Sequence, residues 1–118
     1  RPYFDAFPRL QERAMQRAGS LSGGERKLLS FTRTLGLHAP LSLLDEPPEG
    51  VQPENIARMS HLLLARREAG AAFVIVEQNL SFLLQVADAV LVLDHGERVA
   101  SGAMPAFTRE KLESYLVV

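Results

Sequence analysis

Three short apolar runs, residues 41–44, 72–76 and 89–93, constrain this chain more than any other feature in it. Each is the length of a strand rather than a helix, and turn-forming residues or polar pairs bound it. Residues 72–76 have no polar alternation, which predicts a strand covered on both faces. The segments between the runs have the period of a helix. Pro53 opens one, with Ile56, Met59 and Leu63 on a single face and Gly70 closing it. Leu80, Leu83, Leu84 and Ala87 mark another. Upstream, Leu28, Phe31 and Leu35 share one face of a helix that should start near Gly24, and Pro40 bars its continuation. A shorter helix is expected over 8–17, with Pro8 in its first turn and Gly19 beyond its end. After the third run, Asp94-His95-Gly96-Glu97 should turn the chain into a hairpin partner over 98–100, and 103–118 should hold one or two small helices. Apolar strands alternating with amphipathic helices predict an α/β layer fold, a mainly parallel sheet flanked by helices. A chain of 118 residues buries only about two-thirds of its surface on folding. Three fully apolar strands in so short a chain therefore imply that some of their covering elements lie outside it.

Charge and composition narrow the function classes. The formal net charge is -1, with 47% hydrophobic and 23% charged residues. That balance suits a soluble globular protein and gives no broad attraction to nucleic acid or an anionic membrane. There is no cysteine, so disulfides and thiolate metal sites are excluded, as suits a reducing compartment. No apolar run approaches the roughly 20 residues that span a bilayer. Arg1-Pro2-Tyr3-Phe4-Asp5 lacks the apolar stretch of a signal peptide. A cytoplasmic protein is expected. His38, His61 and His95 show no metal-ligand spacing and read as surface or loop residues.

Three polar clusters sit where these elements begin or end. Ser22-Gly23-Gly24-Glu25 matches a capping box, in which Ser22 accepts a backbone N–H bond and Glu25 returns one. Any helix start has use for that. The two glycines point further, because each costs about 1 kcal/mol relative to alanine inside a helix. Bare backbone at a helix N-terminus lets N–H groups and the positive dipole end approach a phosphate. The run 41–44 ends in Asp45-Glu46, read either as two solvated acids or as a Walker B element. In the latter, Asp45 binds magnesium at the sheet's C-terminal edge and Glu46 polarises a water as general base. Glu77-Gln78-Asn79 ends the second run. By themselves these residues read first as a turn with Asn79 or Ser81 capping the next helix, and second as an amide placed against a phosphate or water.

Taken together, the order and spacing of these clusters resemble the ATP-binding-cassette ATPase family along essentially the whole chain. There an L-S-G-G-E/Q signature, here Leu21-Ser22-Gly23-Gly24-Glu25, precedes the Walker B strand. A D-loop, a further strand and a switch residue follow. Within the family the chain looks most like ATPase subunits of branched-chain amino-acid importers and the related urea or amide importers. Phe7-Pro8-Arg9-Leu10, Gln16-Arg17-Ala18-Gly19, Glu49-Gly50-Val51-Gln52-Pro53, Val76-Glu77-Gln78-Asn79 and the ending 110–118 carry that likeness. Gly50-Val51-Gln52-Pro53 tilts it toward the urea-like branch.

The resemblance implies the C-terminal half of a P-loop NTPase domain of RecA-like type. Residues 1–40 would be helical subdomain with the signature, and 41–118 would run from Walker B to the C-terminus. It further implies that Ser22, Gly23, Gly24 and Glu25 face the γ-phosphate of ATP held by a second ATPase subunit in a head-to-tail dimer. Asp45 would hold magnesium through water, Glu46 would orient the hydrolytic water, and Gln78 would take the switch position. The D-loop, Pro48, Glu49, Gly50, Val51 and Gln52, would cross the dimer interface. Transmembrane permease subunits would be the other partners, with the ATPase peripheral on the inner face of the membrane. Arg9, Arg13 and Arg17 make a stripe that is either a solvated helix face or a contact with the permease.

Several residues depart from the family pattern. Gln78 stands where His is commonest and cannot become a cation. Val51-Gln52 replaces the usual Leu-Asp, and Ser42 interrupts the apolar strand. The largest departure is that no G-x-x-x-x-G-K-S/T sequence occurs. The nearest glycine spacing, Gly19 to Gly24, is followed by Glu25 and Arg26, and the only lysines are Lys27 and Lys111. Without that loop there is no cradle for the β- and γ-phosphates. The chain alone is therefore expected neither to bind ATP tightly nor to hydrolyse it, and to self-associate through uncovered sheet surface. One rival reading is a non-catalytic remnant that acts only as an interaction module. The other is an ATP-binding-cassette protein of DNA repair, which the short 8–17 helix and near-neutral charge disfavour.

Overall fold

The computed structural model describes residues 6, 7 and 23–116, which fall into two compact units divided between Val76 and Glu77. The helix expected over 8–17, the arginine stripe on it and Ser22 lie outside the described residues.

Among the described residues, the first unit is built on a strand, helix, strand crossover that follows a helix. Helix α1, Gly23–Gly36, buries Leu28, Phe31 and Leu35, the face its period predicts, together with Thr32. Glu25 in its first turn and Arg33 in its last complement the helix dipole. Its end is closed by Leu37 and His38, whose amides donate to Thr34 and Leu35 carbonyls at 3.3 and 3.1 Å. His38 turns left-handed there, at φ 52°. Strand β1, Leu41–Asp45, pairs in parallel with β2, Ala72–Val76, in a register that sets Leu41 opposite Ala72 and Asp45 opposite Val76. Helix α2, Pro53–Glu68, links them, with proline in its first turn and Met59, Ser60 and Leu63 buried. It ends where expected. Gly70, at φ 103°, is left-handed, and the amides of Ala69, Gly70 and Ala71 satisfy the last helical carbonyls.

The β1–β2 pair is covered on one face, not two. Ser42 and Leu44 are buried, and Phe73 and Ile75 beside them are half-buried. The other face carries Leu41, Leu43 and Asp45 alongside Ala72, Val74 and Val76, all exposed. Leu43 is 73% exposed and Val74 51%. The expectation that these strands are covered on both sides is thus corrected.

The second unit opens with helix α3, Leu80–Val86, and continues into an antiparallel hairpin of β3, Ala89–Asp94, and β4, Glu97–Ala103. The turn is the one the sequence suggests. His95 and Gly96 both have positive φ, 51° and 79°, the two-residue geometry that matches the twist of a hairpin. β4 is longer than the expected 98–100. A register shift between Val92 and Leu93 bends the ladder. A 3₁₀ turn, Met104–Ala106, leads to helix α4, Arg109–Leu116. Phe82, Val86, Phe107 and Leu112 are the buried apolar residues of this unit. The Arg109 guanidinium donates to the Ser81 hydroxyl at 2.8 Å, tying α4 to α3. Among the described residues no helix is long and apolar enough to cross a membrane.

Candidate functional site

The candidate site grows from the C-terminal end of β1. Asp45 is the last strand residue and is exposed. Glu46 continues the ladder by one bond, its amide donating to the Val76 carbonyl at 2.8 Å, but its own φ is 47°. A left-handed residue other than glycine costs about 1–3 kcal/mol, so the surroundings must hold it there. Two turn bonds follow, Glu49 N–H to the Glu46 carbonyl and Val51 N–H to the Pro48 carbonyl, both 3.1 Å. Pro47, Pro48 and Val51 are buried and anchor the loop, whereas Glu49, Gly50 and Gln52 are exposed. The Gln52 carbonyl then receives the amides of Asn55 and Ile56 and starts α2.

The N-terminal end of α1 packs on this loop at two points. Gly24 lies so near the Gly50 carbonyl that a Cβ there would sit 2.7 Å from its oxygen. Gly23 is open, with nothing within 4 Å of a Cβ. The two glycines expected to act alike thus divide. Gly24 is required by packing, and Gly23 leaves backbone accessible at the helix start. One turn further, the Lys27 ammonium donates to the Asp45 carbonyl at 3.2 Å and the Glu46 carbonyl at 2.9 Å. The helix start, the strand end and the loop are therefore one joined structure within the first unit.

Of the residues proposed from sequence, Gly23, Gly24, Glu25, Asp45, Glu46 and the loop 48–52 are brought together here. Ser22 lies outside the described residues. Gln78 belongs to the second unit, where it is exposed. Its amide and that of Asn79 both donate to Glu77 Oε1 at 2.9 Å. Asn79 Oδ1 accepts from the Phe82 amide at 3.1 Å, so the cap expected at Asn79 or Ser81 is Asn79. Lys27 is the residue that sequence reasoning passed over. Its placement three residues after Gly24, on the same side of the helix, was the available signal. Among the described residues no group of three or more histidine, aspartate or glutamate side chains is arranged to hold a metal ion.

No family model matches the chain. Individual proteins do. The high-affinity branched-chain amino acid transport ATP-binding protein BraG of Pseudomonas aeruginosa is 41% identical over 95 residues, 80% of this chain and 41% of that protein. The probable branched-chain amino acid transport ATP-binding protein LivG of Archaeoglobus fulgidus is 37% identical over 89 residues, 72% of this chain and 33% of that protein. The ATP-binding subunit of an ABC transporter superposes with a TM-score of 0.85 at 21% identity, over 98% of this chain and 51% of that one. A nucleotide-free ATP-binding cassette gives 0.70 at 27% identity, over 97% and 44%. The fold is that of ATP-binding-cassette ATPase domains, and the homologues are ATP-binding subunits of transporters, amino-acid importers among them. The chain spans about two-fifths of the length of the first of these curated relatives, 41%.

Proposed function

We infer that this chain is the C-terminal half of the ATP-binding subunit of an ATP-binding-cassette importer. The observation that carries the reading is the packing of the Gly23-Gly24 helix start onto the loop that follows Asp45-Glu46. Similarity to branched-chain amino-acid transport proteins supports branched-chain amino acids as the solute class. Gly50-Val51-Gln52-Pro53 keeps urea or amides as the alternative.

The residues suit ATP and magnesium. Asp45 offers an exposed carboxylate, the hard oxygen ligand magnesium prefers. Gly23 leaves open backbone at the start of a helix of 14 residues, which suits an anion. Magnesium, if held at Asp45, would supply charge neutralisation at the transferring phosphoryl group. Asp45 would be its carboxylate, and Glu46 would orient the attacking water as general base. Gln78 positions polar groups from the switch position without taking up a proton. Ser22, Gly23 and Gly24, with Glu25 in the same turn, face the γ-phosphate of a nucleotide bound by the opposing subunit of a head-to-tail dimer. The loop 48–52 lies at that dimer interface, and permease subunits place the assembly at the inner face of the membrane. Hydrolysis belongs to the complete subunit, because this sequence holds no P-loop.

The test is ATP turnover by the complete subunit with its permease. Glu46→Gln should lower kcat at least about 100-fold, the usual worth of a general base. Turnover above half the native rate would refute the role of Glu46. The chain alone, at micromolar concentration with magnesium and ATP, should show no turnover, and clear hydrolysis would overturn its assignment as an incomplete site.

A second reading, an interaction module without catalysis, draws on the exposed face of Leu41, Leu43, Val74 and Val76. An apolar strip of this kind favours association. A gene that begins immediately before Arg1 and encodes no P-loop would favour it.

A further inference from the structure

We propose that Lys27 is a positioning residue of this ATPase, its ammonium clamping the Asp45 and Glu46 carbonyls so that the carboxylate of Glu46 is held for hydrolysis. The proposal rests on the reading of Glu46 given above and adds a residue that neither the signature nor the Walker B pattern includes. Lys27 is half-buried on α1 and has three donors, of which two meet carbonyls of successive residues, at 3.2 and 2.9 Å. Both bonds carry the charge of the donor, which makes them stronger than neutral ones.

What they hold needs holding. Glu46 is a left-handed residue without glycine's freedom, and Gly50 beyond it is left-handed as well, at φ 77°. The Glu46 carbonyl receives two donors, Lys27 Nζ from one element and the Glu49 amide at 3.1 Å from the turn. Its amide is fixed on Val76 at 2.8 Å. The peptide groups on both sides of Glu46 are thus restrained, and with them the direction in which its side chain leaves the backbone. The loss of Lys27 removes two charge-assisted bonds from α1 to the carbonyls of this strand end. A misplacement of about 1 Å at a reacting group costs up to about 100-fold in rate.

Two variants and two readouts test this. Lys27→Met keeps the apolar stem and removes the donors, and Lys27→Arg keeps a cationic donor. In the complete subunit, Lys27→Met should lower kcat about 10- to 100-fold with KM for ATP within about twofold, and Lys27→Arg should recover most of the loss. In this chain, amide hydrogen exchange should speed up about tenfold at Glu49 in Lys27→Met and less at Glu46, which stays on the ladder. A native kcat in Lys27→Met overturns the proposal, as does loss of activity that Lys27→Arg fails to recover. Unchanged exchange at Glu49 overturns the clamp itself. The Glu46→Gln variant separates the two claims. If it turns over normally, the reading of Glu46 fails and the positioning role falls with it, whatever the exchange experiment reports about the clamp.

Discussion

Alanine at Gly24 should weaken this protein while alanine at Gly23, one residue away, should strengthen it or leave it unchanged. Replacing glycine by alanine inside a helix gains up to about 1 kcal/mol from reduced freedom of the unfolded chain. At Gly23 that gain is unopposed, because nothing lies within 4 Å of the added carbon. Its position at the very start of α1 reduces the gain to a few tenths of a kcal/mol up to about 1. At Gly24 the added carbon meets the Gly50 carbonyl oxygen at 2.7 Å, with the Gly50 carbonyl carbon at 3.7 Å and Val51 Cα at 3.9 Å behind it. All three are backbone atoms, so no side chain can rotate away. The loop or the helix must shift by roughly 0.5 Å, and overpacking of this kind costs about 1–3 kcal/mol. After the helical gain is subtracted, Gly24→Ala loses about 0–2 kcal/mol. The two variants should then differ by a few tenths to about 3 kcal/mol, with Gly24→Ala the less stable, at about 4 °C in Tm per kcal/mol for a domain of this size. Thermal unfolding followed by circular dichroism measures the difference directly. Equal melting temperatures, or Gly24→Ala the more stable, would refute the argument that this glycine is required by packing against the loop.

Two further outcomes follow from the same geometry. Asn79→Ala removes the side chain that caps α3 through the Phe82 amide, and should cost about 1 kcal/mol, with Asn79→Asp close to native. Equal melting of the alanine variant and the native chain would count against the cap. The chain alone should self-associate through the face of Leu41, Leu43, Val74 and Val76, and Leu43→Lys should shift it toward monomer. A clean monomer of the native chain at high concentration in sedimentation would rule this out.

The sequence was sufficient wherever a local rule had no competitor. Pro53 and Gly70 bracket α2, Gly96 follows His95 in the hairpin turn, and Asn79 precedes α3. In each case the residue's own chemistry decides the backbone, whatever surrounds it. The α/β class followed in the same way from apolar runs between helical periods. The joint order and spacing of Gly23-Gly24, Asp45-Glu46 and Gln78 resemble those of the ATP-binding-cassette family, whose fold the chain shares.

Tertiary structure decided what depends on neighbours distant in sequence. The strand 72–76 reads as covered on both faces because its residues are all apolar, yet burial depends on what packs against them, and one face is open. Gly23 and Gly24 are indistinguishable as letters. Only the approach of the Gly50 carbonyl separates a glycine needed for space from one that leaves backbone free. Nothing in the sequence gives Lys27 a partner, and its partners become visible only when the end of β1 is brought beneath α1. The left-handed Glu46 is of the same kind, since nothing in a glutamate foretells a positive φ. The sequence thus named the residue types of the candidate site, because charge, hydrogen-bonding capacity and turn preference are properties of single residues. The fold decided which of them hold one another in place, because contact is a property of pairs.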